Sequence, residues 1–348
     1  MSLDETAAKV SLFMKIVIIS FVVVMILSYL TAMILGPLIF FFTESGSKVA
    51  SSPVRLDFYL AGLPYPISME ANTGLCFLFL WLVYCGAFFA SYFSGEKFHR
   101  LLRKPGGYTY GDFTRNFLFS MPIITTLLYT ALVALVILQV VFGISSGPNI
   151  VSKEPSQLIM FFYLTYSPVA EELGFRLIPI GLLTTISLSI IARKNVRSRI
   201  EFLKIAFLGF LFPDKAKEIA GAKSIHRFGP LKGIAIYEWI FILLTSAFFG
   251  SAHYQFGGWN IGKITTSSIF GAALALAYLI YGIHAPILMH WWFNYYYEAY
   301  FQAWHLNSSI SWMLFIILLW LITLIGGAIG WFLISTRIGK SVERPLQF

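Results

Sequence analysis

Apolar stretches about 20 residues long recur along the whole chain, and a chain built this way has few folds open to it. Hydrocarbon about 30 Å thick is crossed by about 20 helical residues. Within lipid, backbone N–H and C=O groups must be satisfied internally, so the crossings are helices. Eight runs have the required length: 16–42, 72–93, 116–143, 157–192, 234–255, 262–281, 284–303 and 310–335. Composition agrees, with 58% hydrophobic and 12% charged residues and a mean hydropathy of +0.76. A water-soluble domain carries about 25% charge. The expectation is an all-α, polytopic membrane helical bundle of about eight transmembrane helices, a single transmembrane domain over residues 1–348. The first run follows Lys9 and Lys15 and outlasts the short apolar core of a signal peptide, so it reads as a retained helix.

The net charge of +9 points to orientation and not to nucleic acid. Lys and Arg number 2 before the first run, 5 in the loop 94–115, 10 in the loop 193–232 and 3 after residue 335, 20 in all. The alternate loops hold 4: Lys48, Arg55, Lys153 and Lys263. Positively charged loops stay cytoplasmic. The chain therefore reads as a multi-pass integral membrane protein with both termini in the cytoplasm, its basic loops against anionic headgroups. Within 193–232 the apolar run Phe202–Phe212 is too short to cross and reads as a helix in the interface or dipping into it. Cys76 and Cys85 lie nine apart on one helix, which points them to opposite sides. They read as buried thiols.

Against this background the segment SPVAEELGFR, Ser167 to Arg176, needs a reason. A charge at the centre of a crossing helix costs about 2.5–3.5 kcal/mol on insertion scales, so such groups face the bundle interior and pair. Glu172 and Arg176 stand four residues apart, in ion-pair reach on one face. Glu171 is turned away by about 100° and has no partner on its own helix. Further along, His253 ends SAFFGSAH, with Phe249 one turn earlier. His290 and Asn294, in HWWFN, again share a helix face. A carboxylate can take a proton from water, with a neutral imidazole holding that water. A second imidazole and an amide can donate to the oxyanion formed when water attacks a peptide carbonyl.

These three segments resemble the motifs of the CPBP family of intramembrane proteases, the CAAX-prenyl-endopeptidase and bacteriocin-processing type. EExxxR stands as Glu171–Arg176, FxxxH as Phe249–His253 and HxxxN as His290–Asn294. The similarity covers a catalytic core at 157–303, four of the eight runs. Three weak motifs in this order, each in an apolar run, are specific together. The resemblance implies an all-helical endopeptidase whose substrates are membrane-associated proteins or peptides, with CAAX-type processing as one option and no nucleic acid among its partners. Carried over, Glu171 is the general base and His253 its partner on the water. His290 and Asn294 form the oxyanion hole, with Glu172, Arg176 and Phe249 in support. With two motif histidines and no HExxH, no ligand spacing supports zinc. A metal-free glutamate mechanism is favoured, with zinc or another divalent metal as the alternative.

Simpler readings compete. Glu172–Arg176 reads first as a salt bridge that shields charge from lipid. His253 could cap a helix end, and His290 with Asn294 could be an interhelical hydrogen-bonding pair. A transporter, or an inactive scaffold of the same fold, would also use intramembrane charge, but the chain lacks the paired broken helices of transporter repeats. His284 reads as a turn residue. The ring cluster Trp291–Tyr300 reads as lipid and interface packing, and Gly326 with Gly330 as tight helix packing. By this topology His253 and His290 start from opposite sides. The sixth run is therefore expected to be short or strongly tilted, with the uncharged turn 282–286 sunk into the membrane and Glu171 within about 12 Å of His290, close enough to share a water. A reporter active only in the cytoplasm should work when fused after residues 104 or 215 and be silent after 145 or 258. The reverse pattern would refute the orientation.

Overall fold

Residues 3–60, 63–105, 108, 110–148, 156–195 and 198–342 are described by the computed structural model. In order they form α1 (Leu3–Phe42), α2 (Glu44–Ala50), β1 (Pro53–Leu60), β2 (Leu63–Asn72), α3 (Thr73–Phe93), α4 (Phe98–Leu102), α5 (Tyr110–Arg115) and α6 (Phe117–Val141). There follow α7 (Gln157–Glu172), a π-helical stretch Leu173–Gly181 and α8 (Leu182–Asn195). Next come α9 (Arg199–Leu211), α10 (Pro213–Ala220), α11 (Ile225–Phe228), α12 (Pro230–Gly233), α13 (Ile236–Gln255) and α14 (Gly262–Tyr281). The last described elements are α15 (His284–Trp291), a second π-helical stretch Trp292–Tyr296, α16 (Tyr297–Asn307) and α17 (Ile310–Val342).

The architecture is an all-α polytopic membrane bundle. Among the described residues, six helical segments are long and apolar enough to cross: Leu12–Phe42, Thr73–Phe93, Phe117–Val141, Gln157–Arg193, Gly262–Tyr281 and Ile310–Thr336. The other two expected crossings are also helical, over Ile236–Gln255 and His284–Asn307. Their lower hydropathy has a structural source in the second of them. Trp291, Trp292, Tyr295, Tyr296 and Tyr300 are fully buried, so this helix is the centre of the bundle and meets protein on most sides. Tyr295 and Tyr300 donate to the α1 carbonyls of Ala32 (3.3 Å) and Ser28 (2.7 Å). The Tyr297 hydroxyl lies 2.5 Å from that of Thr323 in α17. Trp291 packs edge-on against Tyr29 of α1 and Phe88 of α3. The expected lipid-facing cluster is thus a core cluster. Phenolic hydroxyls need acceptors, which neighbouring helices supply and lipid tails do not.

Other expectations meet varied outcomes. Gly326 and Gly330 do mark close packing, with α6 residues Thr126 and Leu127 occupying the space a Cβ would need. The run 202–212 becomes α9, which returns antiparallel along α8, with Gly209 against Thr185 and Leu188; Ile200, Leu203 and Phe207 point outward. Both cysteines are free. The loop after α1, read without regular structure, folds into an antiparallel hairpin. Its alternation shows in β1, where Val54 and Leu56 are buried while Arg55 and Asp57 form an exposed pair at 3.8 Å. Phe58 packs edge-on against Tyr166, whose hydroxyl donates to the Asp57 carbonyl (3.0 Å). The helix α14 has the 20 residues of a full crossing, so it is not short.

The turn between α14 and α15 is packed against protein. Gly282 adopts φ 103°, a left-handed conformation open to glycine, and the Ile283 N–H donates to the Leu211 carbonyl (3.0 Å). The His284 ring, 3% exposed, lies between Phe117 and Phe212. Replacing Gly326 by Leu should lower the stability of the purified protein by about 1–3 kcal/mol, the range for overpacking a tight contact. A melting curve in detergent indistinguishable from wild type would contradict that packing.

Candidate active site

The first motif lies where α7 changes character. Glu171 and Glu172 are its last two residues, and the backbone then widens into π-helical turns over Leu173–Gly181. Pro168 and Pro179 each remove a backbone donor from this run, which favours departure from a regular α-helical ladder. The third motif straddles another such change, with His290 in α15 and Asn294 in the widened segment Trp292–Tyr296. Wide turns of this kind concentrate at functional sites.

Arg176 and Glu172 are both fully buried. The guanidinium donates to Glu172 Oε1 (3.1 Å) and to the Gly271 carbonyl of α14 (3.2 Å). Its Cζ lies 4.3 Å from the Phe249 ring centroid, a cation–π contact strengthened by desolvation. The same Oε1 accepts from His290 Nδ1 at 2.8 Å. One carboxylate therefore holds both the arginine and the histidine.

That arrangement aims the other edge of the imidazole. His290 Nε2 lies 3.8 Å from Glu171 Oε2, well inside the expected 12 Å. Glu171 Oε2 is buried without a hydrogen-bond donor from the protein among the described residues. His253 Nδ1 donates to the Phe249 carbonyl (2.8 Å). A carbonyl only accepts, so the proton sits on Nδ1 and the neutral ring keeps a lone pair on Nε2. Phe249 also meets both imidazoles edge-on, at centroid distances of 4.6 Å for His253 and 6.0 Å for His290. Asn294 donates through Nδ2 to Ser167 Oγ (2.8 Å), which orients the amide and leaves its second N–H free. Glu171, His253, His290 and Asn294 all line one cavity of about 680 Å³, walled by α6, α7, α13, α14 and the α15–α16 helix.

Residues 153–296 match the family model described as Type II CAAX prenyl endopeptidase Rce1-like. This segment is similar to that family. The match spans less than half of the chain and includes all three motifs. Neither the curated proteins nor the solved structures searched contain a match. The matched segment carries further cavity residues that motif reading passed over. Ser167 stands four residues before Glu171, a legible one-face signal. Lys263 and Trp259 also line the cavity, although by sequence they read as loop residues.

A potential cation-binding trio among the described residues, Asp214, Glu218 and His226, lies outside the motifs. There the Asp214 carboxylate accepts from the backbone N–H groups of Ile225 (2.5 Å) and His226 (3.0 Å) and from His226 Nδ1 (2.7 Å). This hydrogen bond to Asp214 raises the His226 pKa against its partial burial.

Substituting Arg176 by Met leaves the buried Glu172 carboxylate without its cation and should destabilise the protein by about 3–5 kcal/mol. Adding Glu172→Gln should restore part of the loss. A double variant no more stable than Arg176→Met would mean that the pair does not act as a unit.

Proposed function

We propose that the chain is an intramembrane endopeptidase of CAAX type, hydrolysing peptide bonds of membrane-associated substrates with water activated by Glu171. The supporting observation is the convergence of Glu171, His253, His290 and Asn294, from three separated motifs, on one cavity. The catalytic core is assigned to 157–303.

In this mechanism Glu171 Oε2 takes a proton from the attacking water. His253 Nε2, its ring fixed through Nδ1, accepts the second water hydrogen and so aligns the lone pair. The attacked carbon bonds both the entering oxygen and the oxyanion, so the base and the oxyanion donor must be neighbours. Glu171 Oε2 and His290 Nε2 meet that demand at 3.8 Å. His290 Nε2, when protonated, and the free Asn294 N–H then donate to the oxyanion. With His290 protonated on both nitrogens, the charges of Glu171, Glu172, Arg176 and His290 cancel within the site. The proton held by Glu171 passes to the leaving amine as the tetrahedral intermediate collapses. Each step uses the chain's own side chains, so the mechanism is assigned as metal-free.

Both termini are assigned to the cytoplasm from the basic loops. The cavity residues Ser146, Gly147, Gly257, Trp259 and Lys263 then belong to the opposite face, and substrates reach the site from there. In a cleavage assay with purified protein, Glu171→Gln should lower kcat by about a hundred- to ten-thousandfold. Asn294→Ala should lower it by about a hundred- to a thousandfold. Activity should persist after exhaustive chelation. Full cleavage by Glu171→Gln would exclude the base, and zinc recovered at one per active chain would exclude the metal-free route. Gradient-driven uptake without cleavage would favour a transporter.

A further inference from the structure

The catalytic cavity contains one ammonium that the motifs leave unused. Lys263, the second residue of α14, lines the same cavity as Glu171, His290 and Asn294. Among the described residues it forms no ion pair with a carboxylate. Its nearest described stabilisation is the face of Trp259, with Nζ 4.2 Å from the ring centroid. A partly buried ammonium is costly without a counter-charge, and the cavity is where one would enter. Lys263 and Glu171 interact electrostatically through that space, without the contact of an ion pair.

The backbone around this lysine is held as a platform. Asn260 donates from its amide to Ser145 Oγ and to the Gly147 carbonyl, both at 3.0 Å. Its own N–H also donates to Gly147 (2.9 Å), and the Gly262 N–H donates to Ser145 (3.0 Å). From α6, Gln139 Nε2 donates to the Gly262 carbonyl (2.9 Å). The segment before α14 is thus strapped to the end of α6, and Lys263 is carried on a fixed edge. A fixed cation limits the entropy lost on binding.

We infer that Lys263 anchors a carboxylate of the peptide substrate and so selects which peptide bond meets Glu171. The inference rests on the protease reading of the cavity. A carboxylate there supplies the missing counter-charge. Two sources share that chemistry: the substrate's C-terminus, which would restrict cleavage to bonds near the chain end, and an acidic side chain. A cavity of about 680 Å³ is within the size range of small-ligand sites and holds a short peptide segment between anchor and base.

The test uses the full chain in detergent and one short apolar peptide in three forms: free acid, carboxamide, and carboxamide with a glutamate as its last residue. Binding is read by fluorescence anisotropy and turnover by product release. Wild type should bind the free acid at least about tenfold more tightly than the plain carboxamide, the scale of a charge-assisted hydrogen bond. Lys263→Met should abolish that difference, with the loss of activity on the acid falling in KM and not in kcat, and Lys263→Arg should restore most of it. Preference for the glutamate form as well would assign the anchor to a side-chain carboxylate. Equal binding of all three forms by wild type would overturn the proposal. So would a preference that survives Lys263→Met, or a fall in kcat shared by every form, which would place Lys263 as an electrostatic partner of Glu171. Selective binding without hydrolysis would retain the anchor and refute the protease reading.

Discussion

A guanidinium removed entirely from water and lipid has to be answered by the protein around it, and the helices of the site are arranged to do so. Arg176 is met by a carboxylate from the preceding turn, a carbonyl from α14 and an aromatic face from α13. The carboxylate that neutralises it also holds His290. Four helical segments therefore converge on one buried charge. Charge attraction in a low-dielectric interior must offset desolvation of both groups, and among the described residues Arg176 Nε and Glu172 Oε2 have no hydrogen-bond partner. The three motifs are in this sense a structural unit first. The proposed chemistry would fall to what that unit leaves over: the Glu171 carboxylate and the outer edges of two imidazoles.

The π-helical turns explain how neighbouring residues on one helix receive different tasks. An ordinary turn would carry the ladder from Glu172 into α8 unchanged. Widening it at Leu173, and again at Trp292, alters which faces the following side chains present. Such backbone departures at membrane depth are tolerated where protein covers the freed groups. Both stretches meet that condition, since Gly174, Phe175 and Arg176 in the first and Trp292, Tyr295 and Tyr296 in the second are buried.

Much of this was legible before the structure. Helix positions followed from apolar length, because lipid imposes it, and the six segments apolar enough to cross begin and end within a few residues of the expected runs. Glu172–Arg176 followed from four-residue spacing. The β-hairpin was missed, although Val54, Leu56 and Phe58 alternate with Arg55 and Asp57. A short period-2 signal between long apolar runs is easily read as a loop. The ring cluster was assigned to lipid because composition alone cannot distinguish a helix surrounded by protein from one surrounded by acyl chains. Lys263 was counted only as a loop charge, since its place over Trp259 depends on a strap of hydrogen bonds between residues more than a hundred positions apart. The widened turns have no dependable sequence signature beyond the two prolines.

The proposed peptide hydrolysis in a bilayer would require water at one point and its exclusion everywhere around it, and the central helix has a packed side and a cavity side. On one side Trp291, Trp292, Tyr295 and Tyr296 interlock with α1, α3 and α6, their rings packed and the two tyrosine hydroxyls spent on neighbouring groups. On the other side His290, Phe293 and Asn294 face the cavity. Aromatic side chains suit the dry side because they fill volume with few rotatable bonds. The polar residues of the wet side are each held by a second group, His290 by Glu172 and Asn294 by Ser167. A site held in this way undergoes little reorganisation as charge develops on the attacked carbonyl, the condition under which fixed dipoles stabilise a transition state best. The same helix that packs the bundle through its aromatic face thus holds His290 and Asn294 at the cavity through its polar one, and a substitution on either face should be felt on the other.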